Sequence, residues 1–282
     1  MSMRGKFEKL DNSLTRQIRQ IEKQITSIYG TMNDELISEI GKAYSRYEQA
    51  GVLTPETMYK YDRIINLNRE IAGIITQGNA EVRKELYNGL KRIYRLGFNE
   101  SIGIIEDQAK RKIRGVAKPE LINSVVQSRL SGIPLSDRIH RNTRESIYQI
   151  QQVVGQGIQQ GRTYRQMAGD LTERIDIGKT NAERITRTEG HRVLESAKYE
   201  GLDHAHNQGV PLRKWWLDVG DERVRASHNA MGNKYSQNNA IPFEEDFVNT
   251  ETGGTGPHPG ALGKPKDDIH CRCLMIVEID ED

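Results

Sequence analysis

Cysteine is missing from the first 270 of the 282 residues; only Cys271 and Cys273 follow. Two thiols cannot staple a secreted scaffold, which needs several bridges. A bond within Cys-x-Cys would close a very small, strained ring, so reducing surroundings fit better. Aromatics are scarce at 6% and hydrophobic residues make up 35%, with a mean hydropathy of −0.70. That is thin for an α/β enzyme with a thick core. It suits a predominantly α chain, an elongated helical body with much solvated surface. No run approaches the roughly 20 apolar residues of a membrane span, and the opening MSMRGKFEKLDNSL is polar rather than leader-like. No membrane partner is expected. A large excess of one charge is also lacking, since the net charge is +2. The charge is uneven, however: residues 241–282 hold ten acids against three bases, a net of −7, which leaves +9 on the first 240 residues. Such a body can touch nucleic acid weakly, or can be no more than a solvated helical surface.

What is present is helical periodicity. Leu14, Ile18, Ile21, Ile25 and Ile28 step by four and three, a narrow apolar stripe close to a coiled-coil seam. Each such side chain contributes about 1.5–3 kcal/mol when buried, so the stripe is expected to pack on another helix or another subunit. Gly30 and Asn33-Asp34 are expected to interrupt it, with a second helix to Gln49. Thr54 as cap and Pro55 at the first helical position restart a helix running to Gly78. Further helices are expected from Val82 to Gly97, around Pro119, and from Ser136 to Val154, with SGIP at 131–134 as a break. Thr163 caps the next. Thr180 and Glu183 form a T-x-x-E box that opens another helix to His206. After Pro211, LRKWWLD reads as a strand, residues 249–265 as a Gly/Pro loop, and RCLMIVEI as a final strand. The expected layout is a helical body over 1–160, for contacts with partners or further copies, and a small C-terminal α+β module over 161–282.

Chemistry-bearing residues gather in that module. Two phosphate-loop lookalikes fail: Glu173 and His258 stand where the first glycine is required. DVGDERVRASH packs Asp218, Asp221, Arg223, Arg225 and His228 into 11 residues. The arginines can pair with the aspartates or meet phosphate, and an internal ion-pair network is the preferred reading. Glu189 lies on the packed face of its helix, and a buried carboxylate wants a basic partner; Arg223, Arg225 or His228 would supply it. His228, His258, His270, Cys271 and Cys273 form the histidine and cysteine set. In a strand the two cysteines share a side, so a zinc ion could be held by His228, His270, Cys271 and Cys273. The spacing is not the usual C-x₂₋₄-C, and two small buried hydrophobes would read the same way. No motif demands a cofactor.

The order of these pieces is more specific than any one of them. A Gly-turn helix GRTYRQMAGDL, the run Arg187-Thr188-Glu189 in a long helix, the block Trp216/Asp218/Asp221/Arg225/His228, a Gly/Pro loop and the terminal Cys271-Arg272-Cys273 together resemble the phage Mu F-like family, the minor head or head-morphogenesis proteins of tailed bacteriophages. The resemblance covers roughly residues 160–277; the first 160 residues share only their helical character. His270 stands where such proteins often carry Asn. The resemblance implies a minor capsid protein bound at the portal vertex inside the head, which assists procapsid assembly and DNA packaging or ejection. The implied partners are the portal protein, major capsid or scaffold proteins, packaged double-stranded DNA held weakly and without sequence preference, and further copies of the chain. The implied locations are the capsid interior and, during assembly, the host cytoplasm. Larger relatives carry fused toxin or transferase domains, for which 282 residues leave no room. The competing reading is a metal-dependent nuclease or other hydrolase that uses Glu189, Asp221 and His228.

Overall fold

The computed structural model describes residues 2–130 and 132–280. Helices dominate and strands are confined to the C-terminal region. Helix α1 spans Met3–Tyr47, α2 Pro55–Met58, α3 Arg63–Ala109, α4 Pro119–Gln127, α5 Leu135–Gln159 and α6 Tyr164–His206. Strand β1 (Leu212–Leu217), helix α7 (Ala226–Lys234), strands β2 (Ile241–Pro242), β3 (Phe247–Asn249) and β4 (Gly254–Gly256), helix α8 (Pro265–Asp268) and strand β5 (Leu274–Ile279) follow. No helix among the described residues is long and apolar enough to cross a membrane.

Several expected breaks are absent. Gly30 and Asn33-Asp34 lie inside α1, which is continuous. A glycine costs a helix interior about 1 kcal/mol, and the apolar stripe runs on through buried Tyr29, Met32, Leu36 and Ile40, which outweighs it. Gly78 and Gly97 do not end helices either. Both lie within α3, at sites of close approach: a Cβ on Gly78 would come 2.1 Å from the Met32 sulfur, and one on Gly97 3.1 Å from the Ala197 Cβ. The T-x-x-E box is likewise interior to α6: Thr180 Oγ1 donates back to the Asp176 carbonyl, and Glu183 accepts from Thr26. Conversely, the helix expected over 54–78 is broken at Tyr61 and Asp62, whose φ is 54° at both.

Other signals are met. Thr54 caps α2, its hydroxyl accepting from the Thr57 amide, with Pro55 at the start. Pro119 opens α4. Thr163 and Gln166 exchange hydrogen bonds at the head of α6. In the expected SGIP break, Ser131 lies outside the described residues.

The chain divides into two compact units assembled from separated stretches. The first comprises 1–20, 87–135 and 186–282. Its three-stranded antiparallel sheet has the order β2-β1-β5, with Trp215 opposite Ile276 and Trp216 opposite Met275; β3 and β4 form a separate ribbon. Here Leu14 packs toward Gly97 of α3, and Ile18 lies against Gly190 of α6. The second unit comprises 21–86 and 136–185. Its core holds Ile21, Ile25, Tyr29, Ile71, Ile150 and Leu171, all buried. A polar knot sits inside it: the Tyr29 hydroxyl donates to Asn79 at 3.2 Å and accepts from Asn142 at 3.0 Å, while Asn142 also reaches the Gly178 carbonyl at 3.1 Å. Leu14, Ile18, Ile21 and Ile25 are therefore all buried by the chain's own helices, and the stripe needs no second subunit to cover it.

Candidate functional site

The acidic and basic residues of 218–228 arrange themselves around the chain's end rather than around each other. Asp221 accepts both terminal nitrogens of Arg272, at 2.6 and 2.7 Å, and the backbone amide of Arg223 at 3.0 Å. The Arg272 hydrogen bonds hold its carboxyl well below the ordinary carboxylate range. Arg223 is exposed and reaches Asp221 only at 3.4 Å. Arg225 donates to the Ile269 carbonyl. Asp218 closes its own turn by accepting from the Gly220 amide at 2.8 Å, and lies 3.4 Å from Asn229.

Glu189 is fully buried, as its place on the apolar face suggested. Its partner is Arg192, one turn along α6: Oε2 accepts from Nε at 3.0 Å and from Nη2 at 2.8 Å. Arg192 also donates to the Ser128 hydroxyl. The i,i+3 spacing was a usable signal for this pair, and it displaces the expected pairing with Arg223, Arg225 or His228.

A second pair was missed. Glu195 and Lys198 are both fully buried and meet at 2.6 Å, and Glu195 Oε2 accepts the Met275 amide at 2.9 Å, which ties α6 to β5. Lys214 was also missed. It donates to the Pro257 carbonyl and lies 5.1–5.3 Å from the rings of Tyr199, Phe243 and Phe247; burial lowers its ammonium to about 8. Each of these residues has an ordinary i,i+3 or strand neighbourhood in the sequence, and only the packing makes it internal.

The histidines separate by environment. His258 is buried, lies tilted against Tyr199 with ring centroids 5.6 Å apart, and has its pKa driven down to about 3, chiefly by burial, so it stays neutral. His270 is exposed. Its φ is 59°, a left-handed conformation that turns the chain from α8 into the cysteines. Non-glycine residues reach that region at a cost, Asn less than most. His270→Asn should therefore stabilise the fold by roughly 0.5 kcal/mol, read as a higher urea midpoint with an unchanged slope; a lower midpoint would refute the conformational reading.

His228 is the one histidine that meets both thiols. It sits in the first turn of α7, with Nδ1 3.7 Å from Cys271 Sγ and 3.4 Å from Cys273 Sγ. All three residues are buried, at 2–3% exposure. Among the described residues this is the only set of three or more His, Cys, Asp or Glu whose ligand atoms lie within 4.8 Å of one another. His270, Glu189 and Asp221 are outside it. On the far side of the ring, His228 Nε2 is 3.6 Å from Asp267 Oδ1. Asp267 is fully buried and is fixed by Asn249 at 3.0 Å and Thr252 at 2.6 Å. Trp216 stands edge-on to the imidazole at 5.4 Å. The pocket beside the group offers about 10 Å³, less than any organic substrate needs.

The model of the family described as Phage Mu protein F like protein matches residues 148–276. The minor head protein GP7 of Bacillus phage SPP1 is 28% identical over 274 residues, which cover 97% of this chain and 87% of that protein. A protein of Enterococcus faecalis named as an NAD(+)–arginine ADP-ribosyltransferase is 22% identical over 99% of this chain, which spans only 56% of that longer protein. No solved structure matches.

Proposed function

Because the model of the Phage Mu protein F like family matches residues 148–276, we propose that this chain is a minor head protein of a tailed bacteriophage, carried at the portal vertex inside the head and active in head morphogenesis. The observation that carries this reading is the similarity to the SPP1 minor head protein along almost the whole of both chains, so that the helical body is included as well as the C-terminal region. The chemistry of the site supports a structural role. Glu189 pairs with Arg192 and Asp221 with Arg272, as an internal ion-pair network does. The portal protein is the proposed principal partner, with capsid or scaffold proteins around it. Packaged DNA would be held weakly by the +9 charge of the first 240 residues, in a contact that weakens with added salt.

Co-expression of the full chain with the portal protein of the same phage tests this. The expected result is a complex that survives size exclusion, and the chain in purified heads. Neither a complex nor a place in the head would overturn the assignment. Duplex DNA incubated with the pure protein and Mg²⁺, Mn²⁺ or Zn²⁺ should remain intact; cleavage that His228→Ala abolishes would instead establish the hydrolase.

A further inference from the structure

We propose that this chain binds one zinc ion through His228 Nδ1, Cys271 Sγ and Cys273 Sγ, as a structural clasp between α7 and the entry to β5. A tetrahedral zinc with Zn–S of about 2.3 Å and Zn–N of about 2.0–2.1 Å sets its nitrogen and sulfur ligands roughly 3.6 Å apart. The two N···S separations here, 3.4 and 3.7 Å, bracket that value. The same arrangement is poor as a set of hydrogen bonds, since a thiol is a weak donor and a weak acceptor.

The surroundings are those of a ligating histidine. Such residues commonly present their second ring nitrogen to a carboxylate, which fixes the tautomer and raises ligand basicity. His228 does so toward Asp267, and its Nε2 is buried with no hydrogen-bond partner among the described residues. With Nδ1 on a metal, Nε2 must carry the proton, and Asp267 is the acceptor placed for it. Asp267 is itself held from two sides by Asn249 and Thr252, so the orienting group is rigid. Zinc takes both sulfurs as thiolates. Binding would release the two thiol protons to solvent as two Zn–S bonds form. A buried set with no room for substrate marks the metal as structural rather than catalytic.

Topology explains why the clasp is needed. The chain reaches β5 through an exposed turn at His270 in a left-handed conformation, and α7 holds only nine residues, too few to be stable alone. A metal bonded to both fixes two weakly held pieces at one point. The proposal does not depend on the virion role.

The test uses the full-length protein, purified under reducing conditions without chelator. Elemental analysis should find about one zinc per chain. Cobalt(II) exchanged into the site should give intense visible bands of a tetrahedral ion together with thiolate-to-metal charge transfer. Cys273→Ser and His228→Ala should each lose the metal, while His270→Ala should retain it. If the variants fail to fold, the cobalt spectrum of the parent decides alone: tetrahedral thiolate bands support the site, and an octahedral spectrum without charge transfer overturns it. No zinc, even after reconstitution, overturns it too, as does zinc that persists in folded Cys273→Ser.

Discussion

Lys198→Met should cost the protein about 3–5 kcal/mol of stability, the usual penalty for stranding one member of a buried ion pair. Lys198 and Glu195 are both fully inaccessible and only 2.6 Å apart. Without the ammonium, a carboxylate that already serves the Met275 amide is left charged in the core. The loss should depend on pH. Burial already holds the Glu195 carboxyl above its ordinary value. An acid with a raised folded pKa contributes stability that is fully present below its unfolded pKa, about 4.3, and disappears as pH rises through the folded value. Removing Lys198 raises the folded value further. The deficit of the variant against the parent should thus be largest near neutrality and shrink on acidification. Glu195→Gln in the same chain should restore much of the stability at neutral pH, because the amide still accepts from Met275 and no charge remains. Urea unfolding of the three proteins across pH 5–8 checks this; a small or pH-independent loss would mean that water reaches the pair.

Trp216→Ala is expected to lose a similar amount, about 3–5 kcal/mol, the range for emptying a large aromatic site in a core. Trp216 is 1% exposed, pairs with Met275 across β1 and β5, and meets the edges of His228 and Phe247 at 5.4 Å each. Its ring is one wall of the Cys/His group, so the cavity would open beside the residues that link α7 to the chain's end. Trp216→Phe should lose roughly half as much, because a smaller ring still fills part of the volume. Denaturation monitored by far-ultraviolet circular dichroism separates these outcomes. A loss near 1 kcal/mol for the alanine variant would show that the strands collapse into the space.

Periodicity carried most of the helical reading. The stripe through Leu14, Ile18, Ile21 and Ile25, the cap at Thr54, and the prolines at 55 and 119 all have local causes, within one or two turns, and all are found where the pattern puts them. The errors share one physical origin. Gly30, Gly78, Gly97 and Thr180 were read as punctuation because propensity is local, whereas the helices run on because partners elsewhere in the chain bury their faces. Gly78 is there for Met32, 46 residues earlier, and no local rule contains that distance.

The site divides along the same line. From composition and spacing alone came the helical class, the change of texture after Pro211 and the buried carboxylate at Glu189, which follow from the period of 3.6 and from the cost of burying charge. The two cysteines do meet one histidine, but from an irregular segment ahead of β5 rather than from the strand that the sequence suggested. Which histidine reaches the thiols and which stretches join 186–282 in one unit were set by contacts between residues more than 40 positions apart. Arg192 answers Glu189 from one turn along α6, a local pairing, whereas His228 rather than His270 follows from where α7 lies against the entry to β5. That placement is a sum of many small burial terms across the chain, and short-range patterns carry no record of it.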